Sequence, residues 1–300
     1  MRVLITGASG FVGKNLIKYL NSIDGFHAVG LSLREEGWIN FNIDSFDSII
    51  HLAGKAHDTS NVSHPSSYFE INRDLTITLF NKFKHSSVKD FLFFSSVKAV
   101  ADTVDNILFE DAVPYAITPY GVSKLQAEMF LNSQELPDNK RVFILRPCMI
   151  HGPGNKGNLN LLYKIVEKGI PWPLASFENE RSFLSIENLS FLISRILINN
   201  DLKSATYNLA DDDFISTNQL VEIISEVLER KSKLLKINPR IIKFIANFGD
   251  KFPFPLNSER LKKLTESYKV SNTKIKTDLS LLKLPITAID GLKRTIKSFK

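Results

Sequence analysis

The chain of 300 residues contains one cysteine, Cys148. An internal disulfide is therefore excluded, and so is a metal site built from clustered thiolates. No metal ligand set is expected. No apolar run reaches the ~20 residues that a membrane-spanning helix needs, so no integral membrane segment is expected. The start, Met1-Arg2-Val3-Leu4-Ile5, runs directly into a glycine motif, so no leader is expected. The cytoplasm is the expected compartment. Internal repeats and low-complexity tracts are missing. So are Arg/Lys blocks interleaved with aromatics. The net charge of +6 thus reads as a solvated lysine-rich surface around a pocket for an anionic small molecule, not as a nucleic-acid footprint. The excess is C-terminal: the last hundred residues hold 19 Lys/Arg against 12 Asp/Glu, the first two hundred 19 against 20.

What is present is enough apolar content, 43%, for one large α/β domain or one domain plus a smaller one. Arg2 to Thr6 reads as a buried first strand. Gly7-Ala8-Ser9-Gly10-Phe11-Val12-Gly13 follows, then a helical pattern through Leu16, Ile17 and Leu20. Glycines three apart at a strand-to-helix turn let the backbone approach a pyrophosphate. The helix N-terminus adds free N–H groups and a favourable dipole. A dinucleotide is expected here, held by Gly7, Ser9, Gly10, Phe11, Val12 and Gly13. The second strand is predicted over His27 to Leu33. Its tip carries no acid, and Arg34 follows. An acid at that place takes the ribose hydroxyls, whereas an arginine accommodates a 2′-phosphate. Arg34 therefore favours NADP, with NAD as the alternative; Glu35 and Glu36 weigh the other way.

A short strand is predicted near Trp38 to Phe41, because too little chain remains for a crossover helix. Ser48 to Gly54 is the next strand, ending His51-Leu52-Ala53-Gly54. On so apolar a strand, His51 is expected to be a hydrogen-bonded structural residue. Pro65 to His85 reads as a long helix containing Asn72. Asp90 to Phe94 is a strand ending in Ser95-Ser96, and Arg141 to Leu145 another, followed by Arg146-Pro147. The alternation predicts a doubly wound parallel sheet. After His151-Gly152-Pro153-Gly154 the composition changes. Asn155 to Asn160 reads as a loop. Helices are predicted over Leu161 to Lys168, Leu189 to Ile198 and Thr217 to Leu228, the last capped by Ser216 or Thr217. Strands are predicted over Ser182 to Ile186 and Thr206 to Ala210. Pro239 to Phe254 is very apolar yet carries Arg240 and Lys243. It could lie on a membrane surface; a helix packed on the small lobe is the expectation.

Tyr120-Gly121-Val122-Ser123-Lys124 opens another helix-forming segment, through Asn132. Tyrosine and lysine four apart share a helix face. A phenol beside a fixed ammonium loses its proton more easily, which suits a group that exchanges a proton with a sugar hydroxyl near neutral pH. The spacing alone is not specific.

Taken in order, the glycine motif, His51-Leu52-Ala53-Gly54, Ser95-Ser96, Tyr120 to Lys124 and Leu145-Arg146-Pro147 resemble the extended short-chain dehydrogenase/reductases that act on nucleotide sugars. The resemblance covers nearly the whole chain. It implies a Rossmann-type dinucleotide-binding domain over residues 1–150 and a substrate-binding lobe over 151–300, partly interleaved. Leu52, Ala53, Gly54 and Pro147 would join the glycine turn, Tyr120 and Lys124 in holding the cofactor. Ser96 would bond the sugar C4 oxygen, Tyr120 would exchange the proton, and Lys124 would hold the nicotinamide ribose and lower the tyrosine pKa. Asn72 would position the active-site strands. Asn158 and Arg181 would bind the substrate diphosphate; a guanidinium fork matches phosphate oxygens.

One departure from the family pattern bears on the chemistry, and others are milder. The acidic pair that family dehydratases carry after the serine is replaced by Val97 and Lys98, so dehydration is excluded. Gly54 stands for a more usual alanine, and Asp74-Leu75 for Gly-Thr. The stretch Gly152 to Asn188 looks most like bacterial sugar 4-reductases and 4-epimerases of surface-polysaccharide pathways. The expected activity is 4-ketoreduction of a UDP-linked 4-keto-6-deoxy, N-acetylated sugar. A UDP-sugar C4 epimerase with tightly bound NAD is the alternative. A non-catalytic dinucleotide-binding regulator is a third reading, disfavoured because both Tyr120 and Lys124 are present. A homodimer through the helices after Pro65 and around Tyr120 is an expected partner arrangement.

Overall fold

A computed structural model describes residues 1–55, 64–155, 157–251 and 256–300. In chain order the elements are β1 (Arg2–Thr6), α1 (Phe11–Leu20), β2 (His27–Leu31), β3 (Ser48–His51), α2 (Ser66–Phe69), α3 (Leu75–Lys84), β4 (Asp90–Phe94), β5 (Ile107–Leu108), α4 (Pro119–Asn132), β6 (Arg141–Pro147), β7 (Met149–His151), α5 (Asn158–Glu167), β8 (Arg181–Ser185), α6 (Ile186–Ile198), β9 (Ala205–Leu209), β10 (Phe214–Ile215), α7 (Thr217–Val227), α8 (Pro239–Gly249), α9 (Ser258–Thr265), β11 (Lys269–Val270), α10 (Thr273–Asp278) and α11 (Ala288–Lys297).

A six-stranded sheet in the order β2-β1-β3-β4-β6-β9 is parallel throughout. Period-two alternation splits its side chains between two apolar layers. Val3, Ile5, Leu92, Phe94, Phe143 and Leu145 face a layer closed by α1 and α6, through Leu16, Leu20, Leu189 and Ile193. Leu4, Ile49, Phe91, Phe93 and Ile144 face the other way, onto Leu79, Phe80 and Phe83 of α3 and Ala127 and Leu131 of α4. Both faces are covered, which is why these strands read as continuous apolar runs. A second core joins α5, α7, α8 and α11 through Tyr163, Ile224, Ile242, Ala246 and Leu292. It is connected to the sheet by the strands β10-β8-β7.

Several boundaries differ from expectation, each for a local reason. β2 stops at Leu31 because its partner β1 stops at Thr6, in register with it. β3 stops at His51, which also faces Thr6. Residues Glu36–Asn40 form a 3₁₀ turn, not a strand. Its i→i+3 bonds run from Trp38 to Glu35 and from Phe41 to Trp38, and they turn the buried Trp38 indole onto Ile43 and Phe46. The long helix after Pro65 is interrupted by a π turn over Glu70–Asp74 that contains Asn72; such single-turn insertions re-aim one side chain. α5 begins at Asn158, inside the stretch read as a loop. Ser216 caps α7, its hydroxyl accepting from the Gln219 N–H at 3.0 Å. Of the apolar segment starting at Pro239, residues 239–249 form α8, and residues 252–254 lie outside the described ones. No helix among the described residues is long and apolar enough to cross a membrane.

A buried ion pair ties the sheet to α4. The Arg146 guanidinium donates to the Glu128 carboxylate at 2.6, 3.0 and 3.1 Å, and the Ser95 hydroxyl donates to the same carboxylate. Both charges are nearly inaccessible, with side-chain exposures of 7% and 2%. Removing one partner of such a pair strands the other in apolar surroundings, a loss of about 3–5 kcal/mol. Glu128→Ala is therefore expected to destabilise the fold by about that amount, read from the shift of a urea-unfolding midpoint. A change within experimental error would mean that Arg146 finds solvent or another partner.

Candidate active site

The glycine turn meets the loop after β3 backbone to backbone. Gly7 has φ +70°, and a Cβ on it would lie 2.7 Å from the Ala53 nitrogen and 2.8 Å from the Leu52 carbonyl carbon. A Cβ on Gly13 would lie 2.5 Å from the Gly7 oxygen. Only glycine permits either approach. α1 starts after Gly10 with no side-chain cap and no acid in its first turn. Its first N–H groups are therefore left for an anion outside the chain. Ser9 and Gly10 are exposed there, and Phe11 and Val12 half-buried. The residues present thus fit a dinucleotide diphosphate. Arg34 lies three residues beyond β2 and is exposed; its backbone N–H donates to Ser32 Oγ at 3.4 Å. Pro147 ends β6 in register with Leu209.

His51 sits beneath this turn, fully buried. Its Nδ1 pairs with Thr6 Oγ1 at 2.7 Å and its Nε2 with Thr76 Oγ1 at 3.0 Å. Burial, helped by the nearby Lys124 charge, pushes its pKa down to about 3. It is a neutral brace between β1, β3 and α3. Asn72 braces the next layer out. Its Oδ1 accepts from the Lys55 N–H at 2.8 Å, and its Nδ2 donates to Ser123 Oγ at 3.0 Å and to the Lys55 carbonyl at 3.1 Å. One side chain thus locks the loop after β3 to α4.

The structure brings Ser96, Tyr120 and Lys124 together at the C-terminal edge of the sheet. Thr118 caps α4, its hydroxyl accepting from the Gly121 N–H at 3.2 Å, and Pro119 fills the first turn, where a missing N–H costs nothing. A Cβ on Gly121 would lie 2.4 Å from the Lys98 carbonyl oxygen. The absent side chain lets the 3₁₀ turn Val97–Ala99 press against α4, and Ser96 reaches Tyr120 as a result. The Tyr120 phenol is hydrogen-bonded to Ser96 and meets the Tyr68 ring edge-on at 6.3 Å. Burial pushes the phenol pKa up, and the Ser96 bond acts against that rise. The direction is opposite to the one expected from the Tyr–Lys spacing. The reason is that the Lys124 ammonium turns to the strand end, donating to the Phe94 carbonyl at 2.7 Å. Burial lowers Lys124 itself to about 8, with Glu128 opposing. Gly54 gains a reason here: a Cβ on it would lie 3.1 Å from Lys124 Nζ.

On the small-lobe side, Arg181 opens β8, half-buried. Asn158 opens α5; its side chain lies outside the described residues. Sequence reasoning treated Lys98 only as a missing acid. The structure shows a cation at the site: its Nζ donates to the Asp102 carbonyl at 2.7 Å and lies 4.2 Å from the Tyr268 ring centre. Burial lowers its pKa; the Asp102 and Glu266 carboxylates oppose that, and the weaker influences of Arg181 and Lys262 add to it. Tyr268 pairs with Arg181 along the backbone, and its hydroxyl donates to the Ala101 carbonyl at 2.7 Å. Lys98, Arg181 and Tyr268 therefore join the turn after Ser96 to the lobe. The signal for Tyr268 was absent from the sequence, because 86 residues and most of the lobe separate it from Arg181.

A family model described as the NAD dependent epimerase/dehydratase family matches residues 3–210. A UDP-glucose 4-epimerase of Vibrio cholerae is 30% identical, covering 99% of this chain and 95% of that protein. An N-acetyl-alpha-D-glucosaminyl-diphospho-ditrans,octacis-undecaprenol 4-epimerase of Escherichia coli O157:H7 is 26% identical, over 98% and 94%. Among solved structures, RMD from Pseudomonas aeruginosa complexed with NADPH superposes with a TM-score of 0.77 at 21% identity, covering 99% of this chain and 98% of that one. At that identity it shows the shared fold.

His51 makes a pH test of the brace. Its folded pKa lies near 3 against an ordinary value of 6.5. The unfolded chain therefore binds the proton first, and the stabilisation is complete above pH 6.5 and lost as pH falls towards 3. Between pH 7 and pH 5 the parent is expected to lose about 2 kcal/mol through this residue. His51→Gln should remove that one-proton slope in urea unfolding across the same range. Equal slopes in the two proteins would show that His51 is not the group responsible.

Proposed function

The chain belongs to the NAD dependent epimerase/dehydratase family, and within it we propose that the protein is a C4 epimerase of a nucleotide-diphosphate sugar, with a UDP-sugar as the substrate and NAD held through the cycle. The observation that carries this reading is the end-to-end likeness to a UDP-glucose 4-epimerase, 30% identical over 99% of the chain. The second full-length relative is also named a 4-epimerase. These matches move the preference from reduction to epimerisation.

The geometry is compatible with work at C4. A bound nicotinamide supplies the site that accepts hydride and returns it. Ser96, already hydrogen-bonded to Tyr120, holds the sugar C4 oxygen and steadies its developing charge. Tyr120 takes the hydroxyl proton and gives it back. Lys124 keeps an ammonium buried beside the loop Leu52-Ala53-Gly54, where the nicotinamide ribose would lie. The cations Lys98 and Arg181 face the diphosphate. With Val97 buried and Lys98 in the next place, no carboxylate stands after Ser96 to remove a C5 proton, so elimination is disfavoured. A homodimer through the helices after Pro65 and around Tyr120 is part of the proposal; Ile71 in the π turn before α3 and Met129 on α4 are exposed.

One observation favours reduction of a 4-keto sugar with NADPH instead. The tip of β2 carries no acid, and Arg34 stands exposed beside it. Two measurements separate the readings. The purified protein should release NAD on denaturation and interconvert UDP-glucose and UDP-galactose, or their N-acetylated counterparts, with no net cofactor turnover. Steady loss of NADPH absorbance with a 4-keto UDP-sugar, and no interconversion, would establish the reductase. For either reaction, Tyr120→Phe is expected to retain the cofactor and to lower turnover by about 10²–10⁴. Unchanged turnover would remove Tyr120 from the mechanism.

A further inference from the structure

α8 carries a face that the fold does not bury. Ile242 and Ala246 enter the small-lobe core, while Ile241, Phe244 and Phe248 stay exposed by 53%, 73% and 51%. At 100° per residue these three fall within an arc of about 60°. They form one stripe along the helix, not scattered surface apolar residues. Arg240, Lys243 and Lys251 beside it are exposed, and none of them makes an ion pair among the described residues.

The charge of the whole chain is concentrated around this stripe. Residues 230–263 hold ten Lys/Arg against two acids, Asp250 and Glu259. The chain as a whole is +6, so everything outside this segment is net negative. α9 packs against α8 and contributes Arg260, Lys262 and Lys263. The Leu264 and Glu266 carbonyls at its end accept from Asn179 Nδ2 at 3.4 and 3.3 Å, two residues before Arg181. The basic platform and the candidate pocket therefore share one scaffold.

We propose that α8 docks on an anionic phospholipid surface. Ile241, Phe244 and Phe248 enter the boundary between headgroups and acyl chains, and the flanking cations meet the lipid phosphates. A second copy of the chain fits less well, because two-fold pairing through this stripe would set Arg240, Lys243 and Lys251 against their own counterparts. A nucleic acid would engage the cations but leave the isoleucine and phenylalanine stripe in water. The inference stands apart from the choice between epimerisation and reduction.

The test uses the full chain and sedimentation with large vesicles of phosphatidylcholine alone or mixed with phosphatidylglycerol. The protein is expected to pellet with the anionic vesicles, hardly at all with the neutral ones, and less as salt is raised. Ile241→Ser/Phe244→Ser should weaken binding to anionic vesicles about tenfold or more, while its thermal midpoint and its turnover of a soluble UDP-sugar stay those of the parent. The proposal is overturned if the parent does not pellet with anionic vesicles, or if the double variant binds them equally well. It is also overturned if a lipid-free parent dimer dissociates in the double variant, which would assign the stripe to self-association. Loss of RNA binding in the variant, with vesicle binding intact, would overturn it in favour of nucleic acid. Absence of turnover in parent and variant alike would count against the proposed reaction and leave vesicle binding to decide this point.

Discussion

Glu128 is the constraint on which the candidate site depends. It lies on α4 one turn below Lys124 and two turns below Tyr120, so the three side chains stand in a row on one helix face. Each is matched to the end of β4. Glu128 takes the Ser95 hydroxyl, Lys124 donates to the Phe94 carbonyl, and Tyr120 bonds Ser96. Arg146 holds the bottom of the row from β6. A carboxylate buried at this depth is tolerable only because a bidentate guanidinium and a hydroxyl satisfy it. With that end fixed, the helix cannot slide or rotate relative to the strand, and the upper two residues inherit its register. The same carboxylate opposes the effect of burial on Lys124, so it helps keep that ammonium protonated near neutral pH.

Much of this was readable from the residues, and the parts that were not have identifiable physical causes. The parallel sheet was visible because both its faces are covered, which makes each strand a continuous apolar run bounded by polar turns. The glycine turn was visible because backbone contact at Gly7 and Gly13 admits no other residue. Ser96 was distinguishable from Ser95 only by alignment to a family pattern; the structure supplies the reason, since Ser95 is committed to Glu128. Glu128 itself passed unremarked, because a glutamate in a helix is usually solvated. Its role needs Arg146, which comes from a strand that the sequence places 18 residues later. The π turn at Asn72 left no periodic signal, since a single inserted residue shifts the helical phase without breaking the apolar pattern.

The direction of the tyrosine pKa shows how far spacing can be pushed. Two residues four apart on a helix are neighbours, but neighbours act on one another only if their charged ends converge. Lys124 spends its ammonium on a strand-end carbonyl, where Gly54 leaves it room, and Tyr120 turns towards Ser96. In the proposed reaction the proton chemistry therefore rests on the Ser96–Tyr120 pair, with Lys124 beside the glycine turn and the loop after β3.

Lys98 sets the character of the pocket more than any residue found by motif. Where an acid would serve elimination, this chain has an ammonium, and it stands over the Tyr268 ring next to Arg181. Burial disfavours both charges; the Asp102 and Glu266 carboxylates offset part of that cost, while the Arg181 charge adds to it at Lys98. The proposed diphosphate would offset the rest, because its oxygens would take the place of water around both charges. Under the proposed function that offset needs a ligand whose negative charge lies between the turn after Ser96 and the first residue of β8. A sugar carried on a diphosphate meets that condition, and a free sugar does not. In the proposed reaction, preference for the carrier and the lack of an elimination acid both trace to the charge at this one position.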